Sequence, residues 1–175
     1  MVGKKFFYLL AIFLLFLISC EEKKRRPNNF YSKKNYKENL MNVNKSLLII
    51  DKEKIEKFIE RRNWKMETTK TGLFYQILKK TKNRKVKNKD IINLKYKIYL
   101  LNGELCYDSD SIGLKIFRVG HSDLEAGLTE GVLLLNYGEK ARFIMPPHLA
   151  HGLIGDEKKI KARTTIIYEI EIIEK

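Results

Sequence analysis

The sequence predicts an α+β domain in which an antiparallel sheet wraps around one short helix, preceded by a packing helix and a flexible lipid tether. Three observations carry this. Stretches rich in β-branched and aromatic residues recur from residue 72 to the C-terminal end, which is the composition of strands. Asn102-Gly103 lies between two of them, a hairpin signal because both residues tolerate positive φ. Apolar residues fall at helical spacing in one segment before the strands and one among them, and many strands with one central helix make an α+β layer structure.

Taken in order, residues 1–19 have the form of an export leader, with Lys4 and Lys5 ahead of an uninterrupted apolar run from Phe6 to Ile18. Its thirteen residues fall short of the roughly 20 that span a bilayer core. It ends in Leu17-Ile18-Ser19-Cys20, which resembles a lipobox, so Cys20 is expected to be cleaved to and lipidated. Residues 20–45 are rich in Lys, Asn and Glu, contain Pro27 and show no sustained period; a flexible tether is expected there. Residues 46–70 form an N-terminal helical segment. In it Asp51 caps a short helix whose Ile55, Phe58, Ile59 and Arg62 share a spacing, and Trp64 seals the core edge.

Residues 71–175 make the main domain. Strands are expected over 72–78, over 91–100, back from the turn at 103, over Glu139–Met145 and over Thr164–Ile173, with a lysine-rich turn region from Lys79 to Lys89. The central helix is expected from about Asp123 to Asn136, placing Leu124, Leu128, Val132 and Leu135 on one face and ending at Tyr137-Gly138.

The formal charge of +14 drops by two when Lys4 and Lys5 leave with the leader. The positive residues are spread along the chain and do not stripe one helix, so they describe a solvated surface with a secondary attraction to anionic lipid, and nucleic acid is not expected as a partner. Lipidation of Cys20 leaves Cys106 alone, so the fold must be held by its core. The chain has no Gly-rich phosphate loop and no paired cysteines, and His148 and His151 stand beside Pro146-Pro147 with no acidic cluster; no cofactor and no metal are expected.

One constellation stands out: Ala126-Gly127-Leu128-Thr129-Glu130-Gly131, then Gly138-Glu139 leading into a segment that ends in Pro146, then Leu149-Ala150-His151-Gly152. With Tyr96 upstream, Tyr107-Asp108-Ser109 after the turn, and Ile160 and Tyr168 downstream, it resembles the signature of the FKBP-type peptidyl-prolyl cis/trans isomerases over roughly residues 70–175. The Ser122-Asp123-Leu124 run and the Gly155–Ile160 loop look most like the gliding-motility-associated FKBP-type lipoproteins of the Bacteroidota.

The resemblance implies an FKBP-like fold and a prolyl isomerase needing no cofactor. Tyr96, Tyr107, Leu124, Leu128, Ile160 and Tyr168 would be its apolar walls, Asp108 the polar group near the twisted carbonyl, and the backbone N–H of Glu125 a dock for the substrate chain. The partners would be proline-containing exported polypeptides, and the place of work the membrane, inner or outer, on its periplasmic or surface face. Three positions depart from the pattern: Leu128 stands for a tryptophan floor, His151 for a tyrosine donor, and Lys115 for a pocket phenylalanine. The same residues leave a non-catalytic peptide-binding scaffold open as the alternative.

Overall fold

The computed structural model describes residues 33–121 and 123–173. The leader, Cys20 and the first part of the expected tether lie outside the described residues. Helix α1 (Lys33–Arg61) begins well before Asp51; a long run of Lys, Asn and Glu with leucines and isoleucines interspersed is compatible with a helix even where no single apolar face emerges. Asp51 is therefore no cap. It sits within the helix, buried, and its carboxylate holds the Arg163 guanidinium at 2.8 Å. Among the described residues no helix is long and apolar enough to cross a membrane.

The strands are β1 (Glu67–Thr68), β2 (Phe74–Lys79), β3 (Ile91–Leu100), β4 (Leu105–Asp108), β5 (Lys115–Arg118), β6 (Lys140–Met145) and β7 (Ile166–Ile173). They form one antiparallel sheet in the order β1-β2-β6-β7-β3-β4, and β5 also pairs with β3, at the end opposite to β4. β3 matches its expected span, and Gly103 turns the hairpin at φ 92°. A one-turn helix α2 (Ser109–Ile112) and strand β5 were not foreseen, their runs being too short for a period to emerge. The central helix α3 is shorter than expected, Ala126–Val132. Leu124 stands before it, because Glu125 at φ −54°, ψ 131° is extended and starts the helix only at Ala126.

Burial follows the pleat. On β3 the inward residues Ile92, Leu94, Tyr96 and Ile98 are buried while Lys95 and Lys97 face out. On β7 the clean alternation of Glu169 and Glu171 holds only where one face is solvated. There the outward Lys140 and Arg142 pair with Glu171 and Glu169 at 3.1 and 2.6 Å. Where α1 covers the outer face, alternation gives way to continuous apolar sequence: Ile144 and Ile167 pack outward with Phe74, Ile55 and Phe58, while Phe143, Met145, Ile166 and Tyr168 pack inward. Each such side chain stabilises the fold by about 1.5–3 kcal/mol. Trp64 closes the outer cluster, edge-on to Phe58 at 5.5 Å and under the Arg142 guanidinium at 3.7 Å.

Among the described residues every buried side chain of the two cores falls between Ile55 and Ile172, and residues from Met41 onward form one compact unit. A chain beginning at Met41 therefore carries both described cores.

Helix α3 approaches the sheet through Gly127 and Gly131. A Cβ at Gly131 would lie 2.5 Å from the fully buried Phe143 ring. Gly131→Ala gains helix propensity of about 1 kcal/mol but overpacks a ring with nowhere to go, at about 1–3 kcal/mol. The expected outcome is net destabilisation in urea denaturation, larger still for Gly131→Val.

Candidate active site

The register of the sheet places the aromatic residues in a row. Tyr107 on β4 lies opposite Ile98 on β3, Ile98 opposite Tyr168 on β7, and Tyr168 opposite Phe143 on β6. Paired residues share a face, and the inward face here is the one that α3 covers. Tyr96 stands diagonally from Tyr168 on that same face, their ring centroids 6.0 Å apart and inclined at 42°. Leu128, from α3, and Ile160 are fully buried in the same cluster, and Tyr107 and Leu124 pack against it from its edge.

Each residue of Tyr107-Asp108-Ser109 has a separate task. The Tyr107 hydroxyl donates to the Asp156 carboxylate. Asp108 caps α2 by accepting the Asp110 N–H at 2.9 Å, and its other oxygen takes the Lys97 ammonium at 3.0 Å. Those two partners, the backbone donor first, hold its carboxyl below the usual range. Both oxygens are thus engaged at the sheet edge rather than turned free toward a substrate carbonyl, though the charge is close enough to be felt at the Tyr96 phenol. The Ser109 hydroxyl accepts the Tyr96 N–H at 3.0 Å.

Asp156 organises the loop beyond the site. Besides Tyr107 it accepts the N–H groups of Lys158 and Ile160, at 2.9 and 2.8 Å, and its own N–H donates to the Ile160 carbonyl. Gly155 makes the closure possible: it sits at φ 82°, and a Cβ there would meet the Ile160 carbonyl at 2.3 Å. Burial pushes the Asp156 carboxyl up, but the Tyr107 hydroxyl and the two amides outweigh it and leave it below the ordinary value. The Tyr107 phenol is raised, by that hydrogen bond first and burial second.

The floor of the site is polar. Lys115 on β5 is opposite Leu94, an inward position, so the strand carries its ammonium into the cluster. There it lies 5.2 Å from the Tyr96 ring centroid and 5.6 Å from that of Tyr168, favourable cation–π distances. It donates to the Tyr168 hydroxyl at 3.1 Å. Tyr168 in turn donates to Glu125 Oε1 at 2.8 Å, with His151 Nε2 3.4 Å from the same oxygen.

The Glu125 side chain is only 7% exposed; its Oε2 lies 3.7 Å from the Lys115 ammonium, an ion-pair distance, and receives no hydrogen bond. Burial and then the Glu125 charge raise the Tyr168 phenol far above its ordinary value, so it stays a neutral donor. In front lies an open cleft of about 420 Å³ lined by Lys115, Leu124, Glu125, Ala126, Ala150 and His151.

The structure thus brings Tyr96, Tyr107, Leu124, Leu128, His151, Ile160 and Tyr168 to one site and leaves Asp108 at its edge. Two carboxylates were missed. Glu125 was read for its backbone, and the signal that could have found its side chain was Lys115, a charge at an inward strand position that demands a buried partner. Asp156 was legible only as a turn residue in Gly155-Asp156-Glu157.

Comparison with known proteins agrees with this geometry. A family model described as FKBP-type peptidyl-prolyl cis-trans isomerase matches residues 82–173. The probable FKBP-type peptidyl-prolyl cis-trans isomerase FkpA of Neisseria meningitidis serogroup B is 30% identical over 125 residues, 70% of this chain and 46% of that protein. FkpA of Escherichia coli (strain K12) is 31% identical over 124 residues, 70% of this chain and 44% of that one. The chain spans less than half the length of these two curated relatives. The crystal structure of FkpA from Escherichia coli shares the fold, with a TM-score of 0.63 at 23% identity, covering 99% of this chain and 73% of that one.

The depressed Asp156 carboxyl fixes a sign. A group whose value is lowered by folding contributes stability that is complete above the ordinary aspartate range and is lost as pH falls through the lowered folded value. Amide exchange at Lys158 and Ile160 is expected to stay slow through the ordinary aspartate range and quicken only below it. Asp156→Ala quickens it at every pH while the β3 amides stay protected, as NMR-detected hydrogen exchange would read.

Proposed function

The chain belongs to the family of FKBP-type peptidyl-prolyl cis-trans isomerases, and from that premise we propose that it accelerates rotation about X-Pro bonds in exported polypeptides. The observation that carries the reading is the dry aromatic pair Tyr96 and Tyr168 over Leu128, with Tyr107 and Ile160 at its edge. Rotation about a peptide bond is opposed by a barrier of roughly 18–20 kcal/mol because it breaks amide resonance, and unassisted it takes tens of seconds. No nucleophile is needed. A desolvated pocket that holds the twisted amide better than the planar one, with a donor for its carbonyl, lowers the barrier. About 5 kcal/mol of such preference gives several thousand-fold.

In this site Tyr107 and Leu124 wall the prolyl ring at the cleft, Tyr96 and the fully buried Leu128, Ile160 and Tyr168 make the packed base behind them, and the donor comes from Lys115 or His151. The Glu125 backbone N–H docks the substrate chain. Asp108 acts at one remove, through Lys97 and the α2 cap that fix the strand edge. Lipidation at Cys20, membrane attachment facing the periplasm or cell surface, and closeness to the gliding-motility-associated lipoproteins of the Bacteroidota complete the reading; it is supported by Leu17–Cys20, the Ser122–Gly131 run and the Gly155–Ile160 loop.

One observation favours the scaffold as a second reading: the Lys115–Glu125 pair places buried charge where an apolar ring would bind. A single assay separates the two. With the chain from Met41 onward and short X-Pro peptides, the wild type is expected to accelerate isomerisation, and Tyr107→Ala, at the edge of the cluster and with its fold checked by denaturation, to lose most of that acceleration. A Lys115→Phe, Glu125→Gln double variant is expected to be faster on apolar X-Pro peptides, because it removes both charges while the Gln amide oxygen still accepts the Tyr168 hydroxyl. A well-folded wild type with no acceleration, and a double variant that gains it, would establish the scaffold.

A further inference from the structure

We propose that the surface between α1 and the loop after His151 is a docking groove for apolar segments flanking the substrate proline. This rests on the isomerase reading above. Two depressions of about 220 and 350 Å³ lie along α1 and share Leu48 and His148 as walls. His148 also lines the cleft in front of Lys115 and Glu125, so the three depressions form one path from the prolyl site to the helix. His148 is a fixed point on that path, its Nε2 held 3.0 Å from the Thr71 carbonyl oxygen.

The helix-side lining is mostly apolar, with Leu47, Leu48, Ile55, Phe74, Pro146 and Leu153. Of its charged members, Asp51 pairs with Arg163 and Lys52 with Glu56, and the exposed Lys70 stands at the rim between Thr69 and Thr71. At the rim Leu153, two residues past His151, is 75% exposed, and the adjoining Ile154 is 74% exposed; across the groove Leu48 is 45% exposed. Contiguous apolar surface of this kind marks a binding site.

The path selects its occupant. Continuity with a cleft that admits a polypeptide calls for an extended chain, and the lining calls for apolar side chains. The flank of the same substrate meets both conditions, and tethering it to the bound proline raises its effective concentration at the groove. A second copy of this chain would cover Leu48 and Leu153 with no reason to run past His148.

The test uses the chain from Met41 onward, its fold checked by denaturation, with Leu48→Glu and Leu153→Glu singly and together. Two substrates are compared: a short X-Pro peptide, and a long unfolded polypeptide with apolar residues beside its proline. Isomerisation of the short peptide is expected to be unchanged, while the Kd for the long one rises roughly tenfold in the double variant. Equal loss on both substrates, or no loss on the long one, would overturn the groove. So would a change in sedimentation with Leu48→Glu, which would make the face an interface between copies. Variant-sensitive binding of the long polypeptide without turnover of either would sink the isomerase reading and leave the groove standing.

Discussion

A phenolic hydroxyl buried at the centre of a sheet has to find a hydrogen-bond partner, because leaving it unpaired costs on the order of 1–3 kcal/mol. Tyr168 is that group, with no exposed surface at all. Its hydroxyl fixes the Glu125 carboxylate, Glu125 lies at the step where the chain turns into α3, and Lys115 balances the charge from β5. One polar requirement therefore ties the last strand, the central helix and a short edge strand to the same point. Burial of the apolar cluster to which Leu128 and Phe143 belong supplies most of the free energy, and the Tyr168 network specifies the arrangement in which it is gained.

That network also sets the character of the site. An ammonium beside two aromatic rings and a nearly buried carboxylate make a floor that is charged and only partly open to solvent, in which electrostatic contacts are stronger than in water. In the proposed isomerase such a floor would distinguish substrates by polar groups near the proline as well as by apolar bulk. The wall formed by Asp156, Tyr107 and the Gly155–Ile160 loop is different in kind: it is held by its own hydrogen bonds, from the Tyr107 hydroxyl and the Lys158 and Ile160 amides to one carboxylate.

Much of the fold was legible because it is periodic. β3 was read to its residue limits from alternation and β-branched content, and the turn at Gly103 from one dipeptide. The segments that escaped were those whose identity depends on their neighbours. β5 has four residues, and Lys115 within it contradicts the inward pattern unless Glu125 is known to await it. α1 was cut short because a solvated helix without an apolar stripe has the composition of a tether, and Asp51, read as a cap, is held instead by Arg163, distant in sequence. In the site, the aromatic and aliphatic members were legible from their spaced motifs. The carboxylates were not, since an acid earns its role from the donors that surround it.

The strand order carries a consequence of its own. β7, the last of the described strands in chain order, lies between β6 and β3 at the middle of the sheet, and β3 pairs with it along most of its length across a long intervening sequence. Nearly all of the sheet's closure is therefore non-local, the kind of pairing that forms slowly. Until the segment through Ile173 is present, the two halves of the sheet have no common strand to assemble on, so every earlier strand waits on it. Closure of the sheet is timed by β7.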